Sequence, residues 1–458
     1  MTIPPPVPSA IDSDESVRAV IARIAAGDLS ALEACNSAIE RIESRDTAIN
    51  AVVVRDFDRA RASARACDDR LRSGERLPLM GLPMTVKDTV DVAGLPSTWG
   101  VEHWRDFRPS EDSVVVARLK AAGAVVLGKT NVPPMLADWQ ASNGVYGRTT
   151  HPLNASLGPG GSSGGSDAAV AAGMVALEIG SDVGGSIRVP AAICGVFGHK
   201  PSLGLIPTRR GHQIPGHDGA ADTLNVVGPL ARTADDLQLA LDVLSGPAVD
   251  DPWSGRLEQK TCLLEGLSGC RMLVLDAHPS VDTDSTIRRA MGRLADRVKA
   301  VGASVTSSSP LLPDLETANQ AYVALVRTIF FRQRGAPAAL QTYEWLDALD
   351  QRARVQRQWH RLFADFDVVV EPAFGTLVYP HVDPMDMRTL TLMIDGEQTP
   401  YGRQLAWPGV ATLPGLPATA VPIDRSDDGL PIGVQVIGAY LGDRTTISVA
   451  NWLNQLGK

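Results

Sequence analysis

Two serines set in glycine stand 24 positions apart, and the segment that joins them constrains the whole chain. Ser162 lies in Gly158-Pro159-Gly160-Gly161-Ser162-Ser163-Gly164-Gly165. Ser186 closes Ser181-Asp182-Val183-Gly184-Gly185-Ser186. Glycine loses more backbone entropy on folding than any other residue, so chains keep clusters of it where positive φ or close backbone approach is needed. The first cluster runs into small residues, Ala168 to Gly173, and reads as a loop opening a helix. Val175–Ile179 then reads as an apolar strand that leads to the second cluster. Two serine hydroxyls held in tight turns beside bare N–H groups are equipment for attack on an acyl carbon.

The rest of the chain alternates in the same way. Helical periodicity covers Val17–Ala26, Asp28–Glu43 and residues 57–73, then Val114–Ala122, Thr233–Leu244 and Ile287–Val301. Strand-like runs fall at Leu82–Val86, Ala124–Leu127, Met272–Leu275, Asp367–Glu371 and Gly433–Ile437. Alternating β and α segments imply an α/β protein around a buried mixed sheet. No internal repeat or low-complexity linker divides the 458 residues; Pro247–Ser268 reads as an excursion, and Met1–Asp12 as a flexible arm before a domain over 13–458.

Composition narrows the function. Hydrophobic residues make up 44% and charged residues 21%, as in soluble globular proteins. A net charge of −9 argues against nucleic acid, because neutralising phosphates needs a basic face. No run of 18 uncharged apolar residues offers a membrane span, and the Pro-rich start lacks a secretory signal, so a cytoplasmic location is expected. The five cysteines form no Cys-x-x-Cys pair and read as reduced thiols, with Cys194 as the one candidate reactive thiol.

Gly184-Gly185-Ser186 can aim successive backbone N–H groups into one concavity, a nest for a developing oxyanion. Each such donor is worth about 3–4 kcal/mol when lost. A tight strand-to-loop connection with a solvated serine would use the same residues. The Ser162 loop is no phosphate cradle, since Ser166-Asp167 stands where Lys-Ser/Thr is needed. Gly123 to Thr130 does spell Gly-x-x-x-x-Gly-Lys-Thr, but its middle is a strand whose N–H groups a ladder would consume. A serine nucleophile needs a base. His199, His212 and His217 lie nearby without a recognisable triad context, and no strand feeds Gly160–Gly164 as a nucleophile elbow requires. Lys87, at the end of an apolar strand, is the alternative base, because desolvation lowers a lysine's pKa.

Lys87, Ser162 and Ser186, with their surrounding motifs, resemble the amidase signature family of serine hydrolases. The resemblance extends to Asp182–Ala191, Gly128-Lys129-Thr130-Asn131-Val132-Pro133, Gly198-His199-Lys200-Pro201-Ser202, Gly228-Pro229-Leu230, Leu416-Pro417-Ala418 and Gly429–Gln435. It implies a single α/β/α domain on a large, twisted mixed sheet. It also implies Ser186 as nucleophile, Ser162 in a cis peptide as relay and neutral Lys87 as base. N–H groups of Val183, Gly184, Gly185 and Ser186 would form the oxyanion hole, and no metal or organic cofactor is called for. The acyl pocket is expected at Leu136, with Met135 and Trp139 close by. The regions Arg209–Leu224 and Met385–Trp407, the latter with Met393, Tyr401 and Trp407, would shape the rest.

The resemblance points to hydrolysis of small aryl or alkyl amides, with carbamates (urethanes) and esters as variants on the same triad and a homodimer as one possible state. A glutaminase subunit of a tRNA-dependent amidotransferase usually reads Gly-Leu-Lys-Pro and Ser-Ile-Arg-Gln-Pro, where this chain has Gly198-His199-Lys200-Pro201 and Ser186-Ile187-Arg188-Val189-Pro190. A non-catalytic scaffold would have no need of all three triad residues.

Overall fold

The structure, a computed structural model, describes residues 15–208, 212–216, 223–248, 257–333, 340–382 and 389–457. Eight strands form one mixed sheet. From edge to edge they are Ser304–Thr306, Arg271–Val274, Val368–Pro372, Pro431–Gly438, Ala418–Arg425, Phe197–Lys200, Val226–Ala231 and Leu177–Asp182. The first three strands run parallel to one another; every later pairing is antiparallel.

Alternation along the central strands shows how the sheet is covered. Val368 and Val370 enter one apolar cluster while Val369 enters another, and Val436 and Ile437 divide in the same way. Successive strand residues point to opposite faces, so both faces of this sheet are buried. On one side lie helices Ala234–Leu244, Ser285–Ala300 and Asp443–Leu456, and on the other Leu315–Gln333 and Thr342–Asp365. This is the expected α/β/α arrangement. The helix over Ser285–Ala300 buries Ile287, Met291, Leu294 and Val298, the stripe its periodicity gives.

A three-stranded sheet stands beside the Leu177–Asp182 edge. In it Val125–Thr130 pairs antiparallel with Val52–Arg55 and parallel with Pro83–Lys87. Here the strand predicted over Ala124–Leu127 runs on to Thr130, so Gly128-Lys129-Thr130 is ladder and not a phosphate loop. The strand predicted at Val175–Ile179 lies at Leu177–Asp182, which carries Ser181 and Asp182 into the sheet. The expected N-terminal arm lies outside the described residues, as do His217, Met385 and much of 209–224. Among the described residues, no helix is long and apolar enough to cross a membrane.

Candidate active site

Lys87 ends the Pro83–Lys87 strand with a wholly buried side chain, paired across the ladder with Thr130. Its Nζ reaches Ser162 Oγ at 2.7 Å, Ser163 Oγ at 2.8 Å and Ser181 Oγ at 3.0 Å. Among the described residues, no carboxylate touches it. Burial pulls this ammonium down to about 7, against the opposing charges of Asp182, Asp167, Glu178 and Asp88. Two of those carboxyls are themselves displaced. Burial pushes Glu178 up to about 8 and Asp167 well above the carboxylate range, which weakens their hold on a lysine proton.

Ser162 follows a cis Gly161–Ser162 peptide. Gly161 is needed because a Cβ there would lie 2.8 Å from Gln140 N and 2.9 Å from the Trp139 carbonyl carbon. The loop then opens the small-residue helix Gly164–Ala171, as its composition suggests. Ser186 sits in the turn between the Leu177–Asp182 strand and the helix Arg188–Cys194, and is 5% exposed. Gly185 before it has φ +89°, with a Cβ there only 2.6 Å from Pro408 Cγ. The two serine loops are joined where Ser163 N–H donates to the Ser186 carbonyl at 3.1 Å. Lys87 and Ser162 are thus in direct contact. The Ser186 hydroxyl, one short loop away, makes no described hydrogen bond to either.

The nest before Ser186 is built by four outside groups. Tyr322 OH donates to the Val183 carbonyl at 2.6 Å, and Trp139 Nε1 to the Gly184 carbonyl at 2.8 Å. Asp182 accepts from Arg188 through Nε and Nη2, both at 2.9 Å, and from Gly185 N–H at 2.9 Å. Burial alone would raise Asp182, but the charge and hydrogen bonds of Arg188 hold it at about 2. The expectation of four oxyanion donors is therefore narrowed. Gly185 N–H is committed to Asp182, whereas no acceptor is described for the N–H groups of Val183, Gly184 and Ser186.

Leu136 lies half-buried in the short turn Pro134–Leu136, at φ +57° beside Met135 at φ +56°. The same segment leads to Trp139, whose ring packs edge-on against Phe374 and Tyr401 at 5.0 and 5.1 Å. Two aromatic residues expected to shape the pocket are wholly buried. Trp407 is buried and donates to Thr283, while Tyr401 is buried on Asp138 at 2.7 Å; Met393 is 57% exposed. His199 bridges Thr419 and Asp443, and His212 bridges Thr89 and Asn225, so neither serves a serine of the site. The Cys194 thiol is buried on the Pro159 carbonyl and pushed well above the usual thiol range by burial, unsuited to nucleophilic work. Among the described residues, no three His, Cys, Asp or Glu side chains are grouped to hold a metal ion.

Sequence reasoning missed Ser163, Ser181 and Tyr322. Alternation along the Leu177–Asp182 strand separates Ser181 from Asp182, but nothing local says which of the two faces Lys87. Tyr322 comes from 139 residues downstream and has no sequence signal at all.

Comparison with known proteins agrees with this geometry. The Amidase family profile matches residues 33–334 and 317–447. A putative amidase AmiB2 of Mycobacterium tuberculosis is 35% identical, over 90% of this chain and 89% of its own. The 1-carboxybiuret hydrolase subunit AtzE of Pseudomonas sp. strain ADP is 34% identical, over 96% of this chain and 98% of its own. The crystal structure of a bacterial aryl acylamidase of the amidase signature family superposes with a TM-score of 0.84 at 26% identity, covering 96% of each chain. This chain belongs to the amidase signature family and is a hydrolase acting on C–N bonds.

Proposed function

We propose that this protein hydrolyses small amides with aryl or alkyl substituents through an acyl-enzyme on Ser186. The observation that carries the reading is Lys87 Nζ at 2.7 Å from Ser162 Oγ in a cage of hydroxyls that burial holds near neutrality at about 7. A neutral amine has two donors and one lone pair, so one of its three hydroxyl neighbours must donate to it. Ser163 Oγ donates instead to the Ser181 carbonyl at 3.3 Å, which leaves the hydroxyls of Ser162 and Ser181; in this reading the donor is Ser162, the shorter contact at 2.7 Å against 3.0 Å.

As Ser186 attacks the acyl carbon, its proton moves to Ser162 Oγ while the Ser162 proton moves to Lys87 Nζ. The Ser186 hydroxyl turns toward Ser162 when substrate binds, since catalytic hydrogen bonds often tighten only in the Michaelis complex. The oxyanion faces the N–H groups of Val183, Gly184 and Ser186. When the tetrahedral intermediate collapses, the proton returns along the relay to the departing nitrogen. Water then enters by the reverse route and frees the acid.

Trp139, Phe374, Tyr379 and Leu405 form one apolar cluster beside the nest, which favours an aryl or alkyl group over a charged one. Leu136 lines the acyl side in this reading. The names of the relatives, a putative amidase, a 1-carboxybiuret hydrolase subunit and an aryl acylamidase, support cleavage of small C–N compounds. A rate panel of anilide, alkyl amide, glutamine, aryl ester and aryl carbamate tests it. The anilide or alkyl amide should lead among the unactivated substrates, and Ser186→Ala should abolish turnover. Preference for glutamine, or retained turnover in that variant, would refute the reading.

A further inference from the structure

The peptide units on either side of Gly184 have their carbonyls gripped by side chains from distant parts of the chain, yet their N–H ends meet different fates. The peptide joining Gly184 to Gly185 is held at its carbonyl by Trp139 and closed at its N–H on Asp182 Oδ1. The peptide joining Val183 to Gly184 is held at its carbonyl by Tyr322 OH at 2.6 Å, and no acceptor is described for its N–H. A peptide unit is planar, with its C=O and N–H pointing in opposite directions, so a donor on the carbonyl fixes where the amide hydrogen points. Hydrogen bonds in series also polarise one another, which strengthens the amide as a donor.

Tyr322 is well suited to hold that plane still. It is wholly buried on the helix Leu315–Gln333, and its ring is wedged against Gly409, where a Cβ would lie 2.5 Å from Tyr322 Cδ1. Burial raises its phenol above the usual range, so the hydroxyl keeps the proton it donates.

We propose that Tyr322 is a positioning residue of the oxyanion hole, aiming and polarising the Gly184 N–H through the Val183 carbonyl. This rests on the acyl-enzyme reading of Ser186. Tyr322→Phe keeps the ring and removes only the donor. Anilide kcat should fall roughly ten- to hundredfold with KM nearly unchanged. The pH profile set by Lys87 should not move.

The decisive readout is the carbonyl stretch of the acyl-enzyme formed from an aryl ester, followed by infrared difference spectroscopy. In Tyr322→Phe the band should shift to higher wavenumber, because the carbonyl is less polarised. Ring-fluorinated tyrosine incorporated at 322 keeps the packing and makes a stronger donor, and should shift the band to lower wavenumber even if the phenylalanine variant fails to fold. A band unmoved by the fluorinated residue overturns the inference, as does an unmoved band and kcat in a folded phenylalanine variant. Absence of any acyl-enzyme in the parent protein, or its persistence in Ser186→Ala, overturns the Ser186 reading and this inference with it.

Discussion

Two buried cations flank the Leu177–Asp182 strand, and they are handled in opposite ways. Arg188 is clamped by the Asp182 carboxylate and completed by Gln435 Oε1 at 2.6 Å, Thr412 Oγ1 at 2.8 Å and the Pro408 carbonyl at 3.1 Å. Among the described residues, Lys87 has three hydroxyls and no carboxylate in contact. Adjacent residues of one strand create the difference, since Ser181 points to the lysine and Asp182 to the arginine. A guanidinium keeps its charge in a protein and needs a counter-charge when buried. An ammonium with only neutral partners can shed its proton, which is what a base requires. The arginine pair holds the turn that carries Ser186; the lysine cage is set up to work on it.

The largest expected break in this contrast is Lys87→Met. Removing the base should lower anilide turnover by about a thousandfold, within the range for a lost general base, while an activated aryl ester loses far less. The ester's leaving group hardly needs the returned proton. Equal losses on the two substrates would contradict the assigned role. Arg188→Met should do the reverse, acting on the fold. It strands the Asp182 charge in the interior, for which a loss of about 3–5 kcal/mol is expected in denaturant titration. A loss below about 1 kcal/mol would mean that the pair is not the anchor of the turn.

The pH dependence of stability sharpens the comparison. Lys87 is held at about 7 in the folded chain, against 10.5 when free. Between those values the unfolded chain binds a proton that the folded chain has released, so this group adds stability as pH rises from 7 toward 10.5. Asp182, at about 2, stays ionised throughout and contributes no slope there. Denaturation of the parent and of Lys87→Met at pH 7 and pH 9 should therefore show the parent gaining relative to the variant. The smallest effect is expected from Ser181→Ala, which removes one of three acceptors for the ammonium. It should cost about 1 kcal/mol of stability and move the acid limb of the rate profile to lower pH. A shift to higher pH would show that the hydroxyl does not favour the charged form.

Much of this was readable in the sequence because the signals are local. Glycine clusters marked both serine turns, and apolar runs of four to six residues marked the strands that feed them. Lys87 showed itself by ending one such run. The long helices Leu315–Gln333 and Thr342–Asp365 carried weaker signals, since the first is apolar on several sides and the second is mostly polar with buried Ala348, Val355, Trp359 and Leu362 widely spaced. Tertiary packing decides such segments. The contacts that distinguish Gly184 from Gly185 were not legible, because adjacent glycines look alike until Asp182 folds back on one of them. Trp407 and Tyr401 show a related limit of the sequence, as an aromatic side chain suits a core and a pocket equally well.

The most direct test is the rate at which a fluorophosphonate modifies the protein between pH 6 and pH 8, followed by intact and peptide mass. A single adduct on Ser186 is expected, with a rate rising about tenfold across that interval around a midpoint near 7, and with that midpoint gone in Lys87→Met. An adduct on another residue, or a rate in the parent protein that does not change with pH, would contradict a neutral lysine acting through Ser162.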